Sequence, residues 1–370
     1  MAAHELDREA FAAQERLNFF HTMRAGFDRA GSTLVERHIQ IGSFHITLRF
    51  AGDGLLSCIL PAFEHIVVDP NVADLTVHLF DSNTTNMPLP LWAQSLVDSL
   101  RHGWAELLGP RHEIKAYTDD RIFAIFYPHN HILCLVDRET NQAVYWVNSA
   151  SEFPYWERAY PLASLLNAWL SDRAYYFVHA AAVGTDAGTV LLANKGGSGK
   201  STTTIASALA GMLMLGDDYC AVAIDDNGGV AHSLYNSIKI EPEGNVIRNF
   251  PELEPYIINW EGFSTGEEKA VVFINQHRPE LMRRQMPIRA ILIPHISGQP
   301  KTTITNAPRA AALRALAPNT MLQLAGNSRR TFHWLGQLVR NVPAYHLALG
   351  TEINQVPVSL QNFLAQFETG

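Results

Sequence analysis

Leu191–Val222 reads "LLANKGGSGKSTTTIASALAGMLMLGDDYCAV", and its two polar clusters decide the fold. The first, Asn194-Lys195-Gly196-Gly197-Ser198-Gly199-Lys200-Ser201, nearly fits the phosphate-loop pattern G-x-x-x-x-G-K-[ST], with Asn194 in the place of the first glycine. Glycines let the backbone turn tightly, so that successive N–H groups converge on phosphate oxygens. The apolar run "TVLLA" ahead of the loop predicts a strand, and "KSTTTIASALAGM" after it predicts a helix whose positive end meets the same phosphates. Lys200 is then placed to neutralise the β- and γ-phosphates, and Ser201 Oγ to ligate Mg²⁺, with Thr202 next on the helix. After glycine, Asn is the residue that best tolerates a left-handed backbone, so this departure from the pattern is survivable.

The second cluster follows soon after. Asp217 and Asp218 lie 17 and 18 residues beyond Lys200, at the end of "MLMLG". The intervening helix can return the chain beside the loop. One carboxylate can then serve Mg²⁺ while the other takes a proton from an attacking hydroxyl. Acidic pairs are also common in solvated turns, and the functional reading rests on the neighbouring loop. His179, in the apolar run "FVHAAAV", precedes Lys200 by 21 residues and is either a core histidine or a neighbour of the phosphates. Lys239 in "NSIKI" and Lys269 in "GEEKAVV" are candidate phosphate contacts, with Arg329-Arg330 a weaker candidate.

The rest of the chain supplies the setting. Its 370 residues suffice for two ordinary domains, and 47 % hydrophobic with 17 % charged residues is a globular composition. A net charge of −8 argues against a dedicated nucleic-acid binder. Three widely spaced cysteines, Cys58, Cys134 and Cys220, without a CxxC, read as reduced, buried thiols of a cytoplasmic protein. The first 20 residues lack the apolar core of a signal peptide, and no stretch approaches about 18 apolar residues, so no membrane partner is expected. Sixteen histidines form no HExxH, leaving nucleotide-borne Mg²⁺ as the metal.

Residues 5–30 predict a helix with Phe11, Leu17, Phe20 and Met23 on one face. "HIQIGSFHITLRFAG", "LTVHLFD", "IFAIFYP", "HILCLVD" and "QAVYWVN" predict strands, and "PLWAQSLVDSL" a short helical piece. "SASEFPYWERAYP" breaks the strand pattern, which divides the chain into a mostly β, α+β domain over 1–155 and an α/β domain over 156–370. In the latter, "YYFVHAAAVG", "MLMLGDDYCAVAID", "VAHSLYNSIKIEP" and "RAILIPHI" each read as one strand, and "APRAAALRALAPN", "RTFHWLGQLVRNV" and "PVSLQNFLAQF" as helices.

"VHAAAVG", "GGSGKSTT" and "LGDDY" together resemble the catalytic domain of the HPr kinase/phosphorylase family, over roughly residues 160–350. That family shares its phosphate-loop fold with ATP-dependent phosphoenolpyruvate carboxykinase. The resemblance implies ATP and Mg²⁺ as cofactors and transfer of the γ-phosphoryl group to a serine hydroxyl. It implies Asp217 as general base, Asp218 beside the metal with Ser201, and His179 near the phosphates. "SLYNSIKI", "PRAAALRALAP" and "LVRNVPAYHLALGTEI" are similar to a branch found beside peptide-modification genes, which implies a peptide acceptor such as a lasso-type precursor, with residues 1–155 as recognition domain. The arginine–glycine signature that engages HPr is not found, which points away from HPr itself. Two other classes share these features. One is a small-molecule kinase or carboxykinase-like enzyme. The other is a partitioning-type ATPase switch, in which Lys195 reaches across a dimer. Homo-oligomerisation is left open.

Overall fold

The computed structural model describes residues 2–29, 34–86, 107–225, 228–242, 246–326 and 328–368, with side chains from residue 12 onward. The helical piece expected in "PLWAQSLVDSL" and the side chain of Phe11 lie outside the described residues. The chain is α/β and forms two compact units, residues 1–61 with 67–169, and 62–66 with 170–370. No described helix is long and apolar enough to cross a membrane.

The first unit is built on seven strands. They are β1 (Leu34–Ile41), β2 (Phe44–Ala51), β3 (Val67–Val68), β4 (Leu75–Asp81), β5 (Ile122–Tyr127), β6 (Ile132–Asp137) and β7 (Gln142–Val147). Their order is β3-β1-β2-β4-β7-β6-β5, with parallel pairing confined to β2/β4 and β4/β7. The long helix Ala2–Arg29 buries Phe19, Phe20, Met23 and Phe27 in a core with Phe80, Phe126, Leu135 and Trp146 of the sheet.

The division between the units falls at 169/170, where the sequence pattern had placed it at 155/156. Residues 156–169 are tied to the first sheet by polar contacts that a hydropathy pattern does not display. Glu157, fully buried, accepts from Tyr145 OH at 2.8 Å and from Leu162 N at 3.0 Å. Tyr127 OH lies 2.6 Å from Ser164 Oγ, and Trp169 Nε1 donates to Asn141 Oδ1 at 2.9 Å. Within the second unit, Phe63 packs on Tyr235 and His65 Nε2 meets Ser233 Oγ at 2.6 Å, which accounts for 62–66 clustering there.

The second unit holds β8 (Tyr176–His179), β9 (Ala181–Thr185), β10 (Gly188–Leu192), β11 (Leu213–Gly216), β12 (Tyr219–Asp225) and β13 (Gly228–Ser233). A ribbon follows, β14 (Ser237–Ile240) paired with β15 (Ala270–Phe273), then β16 (Gln285–Ile296), β17 (Thr303–Asn306) and β18 (Ala344–Leu349). The main sheet runs β11-β9-β10-β16-β13-β12-β8, with β18 and β17 branching from the long β16. Its core joins Leu191, Ile291, Leu316, Trp334, Leu335 and Leu338, among others. All three cysteines are buried and free.

Three runs read from the sequence as single strands are each broken in two. Only Ala180 separates β8 from β9, and only Asp217-Asp218 separates β11 from β12. These breaks fall at one corner, because β9 pairs β11 while β8 pairs β12 (Gly216 opposite Ala182, Tyr219 opposite His179). The third run divides between β13 in the main sheet and β14 in the ribbon. Gly216 suits the corner, since a Cβ there would stand 2.7 Å from the backbone oxygen of Tyr219. Gly216→Ala should therefore cost about 1–3 kcal/mol, the usual range for overpacking. Urea unfolding measures this, and an unchanged midpoint would mean that the corner has room.

Candidate functional site

The loop begins where β10 leaves the sheet. Ala193 N still bonds Leu292 O, and then the Asn194 side chain takes over. Its Nδ2 donates to Pro294 O at 2.8 Å and its Oδ1 accepts from Lys195 N at 2.8 Å. Asn194 makes no use of its tolerance for a left-handed backbone. The left-handed residues of the loop are Gly197 (φ 73°) and Gly199 (φ 94°). Asn194 contributes a side-chain clamp between loop and sheet that glycine could not make. Gly196, Gly197 and Lys195 are exposed, while Ser198 is buried and its Oγ has no hydrogen-bond partner. The helix Lys200–Leu209 follows at once, with Thr203 N bonding Gly199 O. Lys200 is buried, and its Nζ donates to the loop carbonyls of Asn194 at 2.7 Å and Lys195 at 3.3 Å. Burial lowers its pKa, and Asp218 and Asp217 oppose that shift.

The corner supplies the acids. Asp217 is 1 % exposed, and neither carboxylate oxygen has a hydrogen bond of good geometry. Burial, then the charge of Asp218, raises its pKa to about 7, against the pull of the nearby Ser201 and Thr204 hydroxyls and Lys200. Asp218 is more open. Its Oδ2 lies 3.4 Å from Lys239 Nζ and its Oδ1 3.8 Å from His179 Nε2. Burial lowers the His179 pKa, Asp218 raises it, and Lys200 and Lys239 lower it. The net shift keeps the ring neutral at pH 7, so that contact is not an ion pair there.

The structure thus gathers Lys200, Asp217, Asp218, His179 and Lys239 around the loop. Lys269 is less central, since its Nζ pairs with Glu241, although its charge still bears on Lys200. Arg330 pairs with Asp172 at 2.6 Å. Ser201 and Thr202 occupy the first turn of the loop helix, with Ser201 beside Asp217.

Four further residues join the site. The sequence pattern ends a helix at Asn319, but the helix runs Arg309–Gln323 through Pro318. Its last turn carries the contacts. Asn319 Nδ2 donates to Asn194 O at 3.3 Å, Thr320 Oγ1 accepts from His179 N at 3.1 Å, and Gln323 Oε1 accepts from Tyr219 OH at 2.5 Å. The alanine-rich pattern that marks the helix stops at Asn319, which hid the rest of this turn. The available clue was a run of amide and hydroxyl side chains closing an alanine-rich helix.

The donor set near the loop, Ser201 with two carboxylates, is all hard oxygen and fits Mg²⁺. Among the described residues no three His, Cys, Asp or Glu cluster to hold a metal unaided, so the fit is to a cation that arrives with phosphate oxygens.

No known family profile and no curated protein matches the chain. Among solved structures, the chain is similar to the HPr(Ser) kinase/phosphatase from Coxiella burnetii, with 11 % identity over 52 % of this chain and 98 % of that one, at a TM-score of 0.30. A likeness of that size assigns no role to any residue here.

Asp217 offers a test of the buried-acid geometry. Its folded pKa stands above the unfolded value of 3.8, so the folded state binds the proton more tightly and loses stability as pH rises from about 4 to about 7. Asp217→Asn removes that loss. The variant should melt higher than the parent at pH 8, by about 1–3 kcal/mol of stability, with the gap closing toward pH 5. Differential scanning fluorimetry across that range reads it, and a constant or inverted gap would show that Asp217 is not desolvated.

Proposed function

We propose that the chain is an ATP-dependent phosphotransferase of the HPr kinase type, acting on a serine-type hydroxyl of a peptide or protein, with a lasso-type precursor peptide favoured. The observation that carries this reading is the corner beside the loop, where a buried carboxyl with a pKa near neutrality stands next to Lys200. A general base is most effective when its pKa lies near the working pH.

In this reading the loop N–H groups, from Asn194 to Thr202, and the helix N-terminus hold the phosphates. Lys200 exchanges its loop carbonyls for phosphate oxygens. Asp217, ionised above about pH 7, takes the proton of the acceptor hydroxyl as its oxygen bonds to the γ-phosphorus and the bond to the β-phosphate oxygen breaks. Lys200 and Lys239 face the developing negative charge, Lys269 adds to the field, and neutral His179 lines the same wall. Ser201 and Asp218 are the residues that would hold Mg²⁺, whose chemistry is charge neutralisation across the phosphates. The reverse order of the two acids has one observation in its favour, the position of Ser201 beside Asp217. The first unit, residues 1–61 with 67–169, is assigned acceptor recognition.

Lys200→Ala should weaken Mg-ATP binding by about 1.5–3 kcal/mol, the worth of a hydrogen bond to a charged group. Isothermal titration calorimetry measures this, and unchanged affinity would sink the loop assignment. Asp217→Asn should bind Mg-ATP more weakly, because the bound form favours the ionised carboxyl, and at saturating Mg-ATP should lose about 10²–10⁴-fold in single-turnover transfer to the peptide. Asp218→Asn should also shift the Mg²⁺ dependence. The opposite pattern reverses the two acids, and full activity in both removes the corner from the chemistry.

The partitioning-ATPase reading keeps one supporting observation, the exposure of Lys195 on the loop. ATP-dependent dimerisation lost in Lys195→Ala, without transfer to any acceptor, would favour it.

A further inference from the structure

Side chains alternate across a strand, so Lys239 and Ile238 lie on opposite faces of β14. Lys239 reaches Asp218, while Ile238 lines a cavity of about 220 Å³. The cavity walls are apolar and come from Ile205, Ala208 and Leu209 of the loop helix, Ile238 and Val272 of the ribbon, and Leu253. That space accepts one large side chain. Tyr256 and His277, their ring centroids 3.7 Å apart and their planes tilted by 32°, line the cavity with Glu252 and Arg278.

The surface beside it is unusual in two respects. Tyr256, Ile258 and Trp260 are 39, 44 and 44 % exposed, within five residues of one another. Single exposed apolar residues are ordinary, but three within five residues, the first of them lining an apolar cavity, mark an interaction site. The surroundings are also acidic. Glu252, Glu254, Glu261 and Glu267 are exposed, against Arg248 as the exposed cation of the stretch 246–268. The neighbouring cations are already engaged, Arg278 with Glu280 and Lys269 with Glu241. Burial holds the His277 pKa below its ordinary value, so that ring adds no charge at neutral pH.

We infer that this face of the second unit is a docking site for a basic segment of the acceptor polypeptide, which seats one aliphatic or aromatic side chain in the cavity behind β14 while its cations meet the glutamates. The inference rests on the phosphotransferase reading for the identity of the partner as acceptor. Charge complementarity selects this occupant. An anionic membrane would be repelled by the glutamates, and a second copy of a chain with net charge −8 brings no excess of cations. Because β14 carries both Ile238 and Lys239, an anchor in the cavity bears on the strand that positions the site lysine. Docking of this kind lowers the KM for long acceptors and leaves short ones unaffected.

The test titrates the full chain into a fluorescein-labelled hexapeptide, Lys-Arg-Leu-Phe-Arg-Lys, and follows anisotropy. Two controls replace Leu-Phe by Ser-Ser, or all four cations by glutamates. Saturable binding is expected, at least about tenfold weaker for either control and for the surface variant Glu252→Lys/Glu254→Lys, each tenfold being about 1.4 kcal/mol. The Mg-ATP affinity of that variant, read separately by calorimetry, should match the parent. Absence of binding, equal binding of the glutamate peptide, or unchanged binding by the variant would overturn the inference. So would self-association in sedimentation that Tyr256→Ser abolishes, which would make the face a contact between copies. Failure of ATP binding or phosphoryl transfer in the parent protein would strike the phosphotransferase reading, while the peptide result reports on the docking face alone.

Discussion

A carboxylate held out of water next to a second carboxylate is the interaction on which the second unit turns. Placing Asp217 there is costly, because burial and the charge of Asp218 both oppose its ionisation. The surrounding fold makes the position unavoidable. The two acids occupy the corner between β11 and β12, and the ladder on either side is fixed by β9 and β8. Lys200, from the phosphate loop, opposes the cost only in part. Folds retain such destabilised groups chiefly at sites of function, where stability is exchanged for activity.

The arrangement is held from three directions. Asn194 fixes the loop to β16, the register of β8 against β12 fixes His179, and the last turn of the helix Arg309–Gln323 touches loop, His179 and Tyr219 in succession. Each of these contacts is modest alone. Together they give the loop, the histidine and the corner one common frame, as the proposed phosphoryl transfer requires.

What was readable from the sequence was local. Loop, helix and acids lie within 27 residues, from Leu192 to Asp218, so spacing alone could place them side by side. The contacts of Asn319, Thr320 and Gln323 span more than a hundred residues and depend on which strands pair. Hydropathy carries no such information. The broken strands were hidden for a related reason, since "MLMLGDDYCAVAID" keeps a strand-like pattern on both sides of a corner that only sheet pairing creates. Asn194 was singled out correctly as the departure from the loop pattern, but the signal lay in its amide rather than its backbone. The unit boundary was displaced because Glu157, Ser164 and Trp169 reach back to the first sheet through polar groups within an otherwise helical run.

The central claim is that the buried carboxyl at the corner belongs to the site that binds Mg-nucleotide. Binding a cation beside a carboxyl that is half protonated at neutral pH must expel protons. Calorimetric titration of Mg-ATP at pH 7, repeated in buffers of different ionisation enthalpy, counts them. The account predicts release of up to about half a proton per nucleotide, reduced to near zero in Asp217→Asn. Tight binding with no proton release, or with release unchanged in that variant, would contradict it.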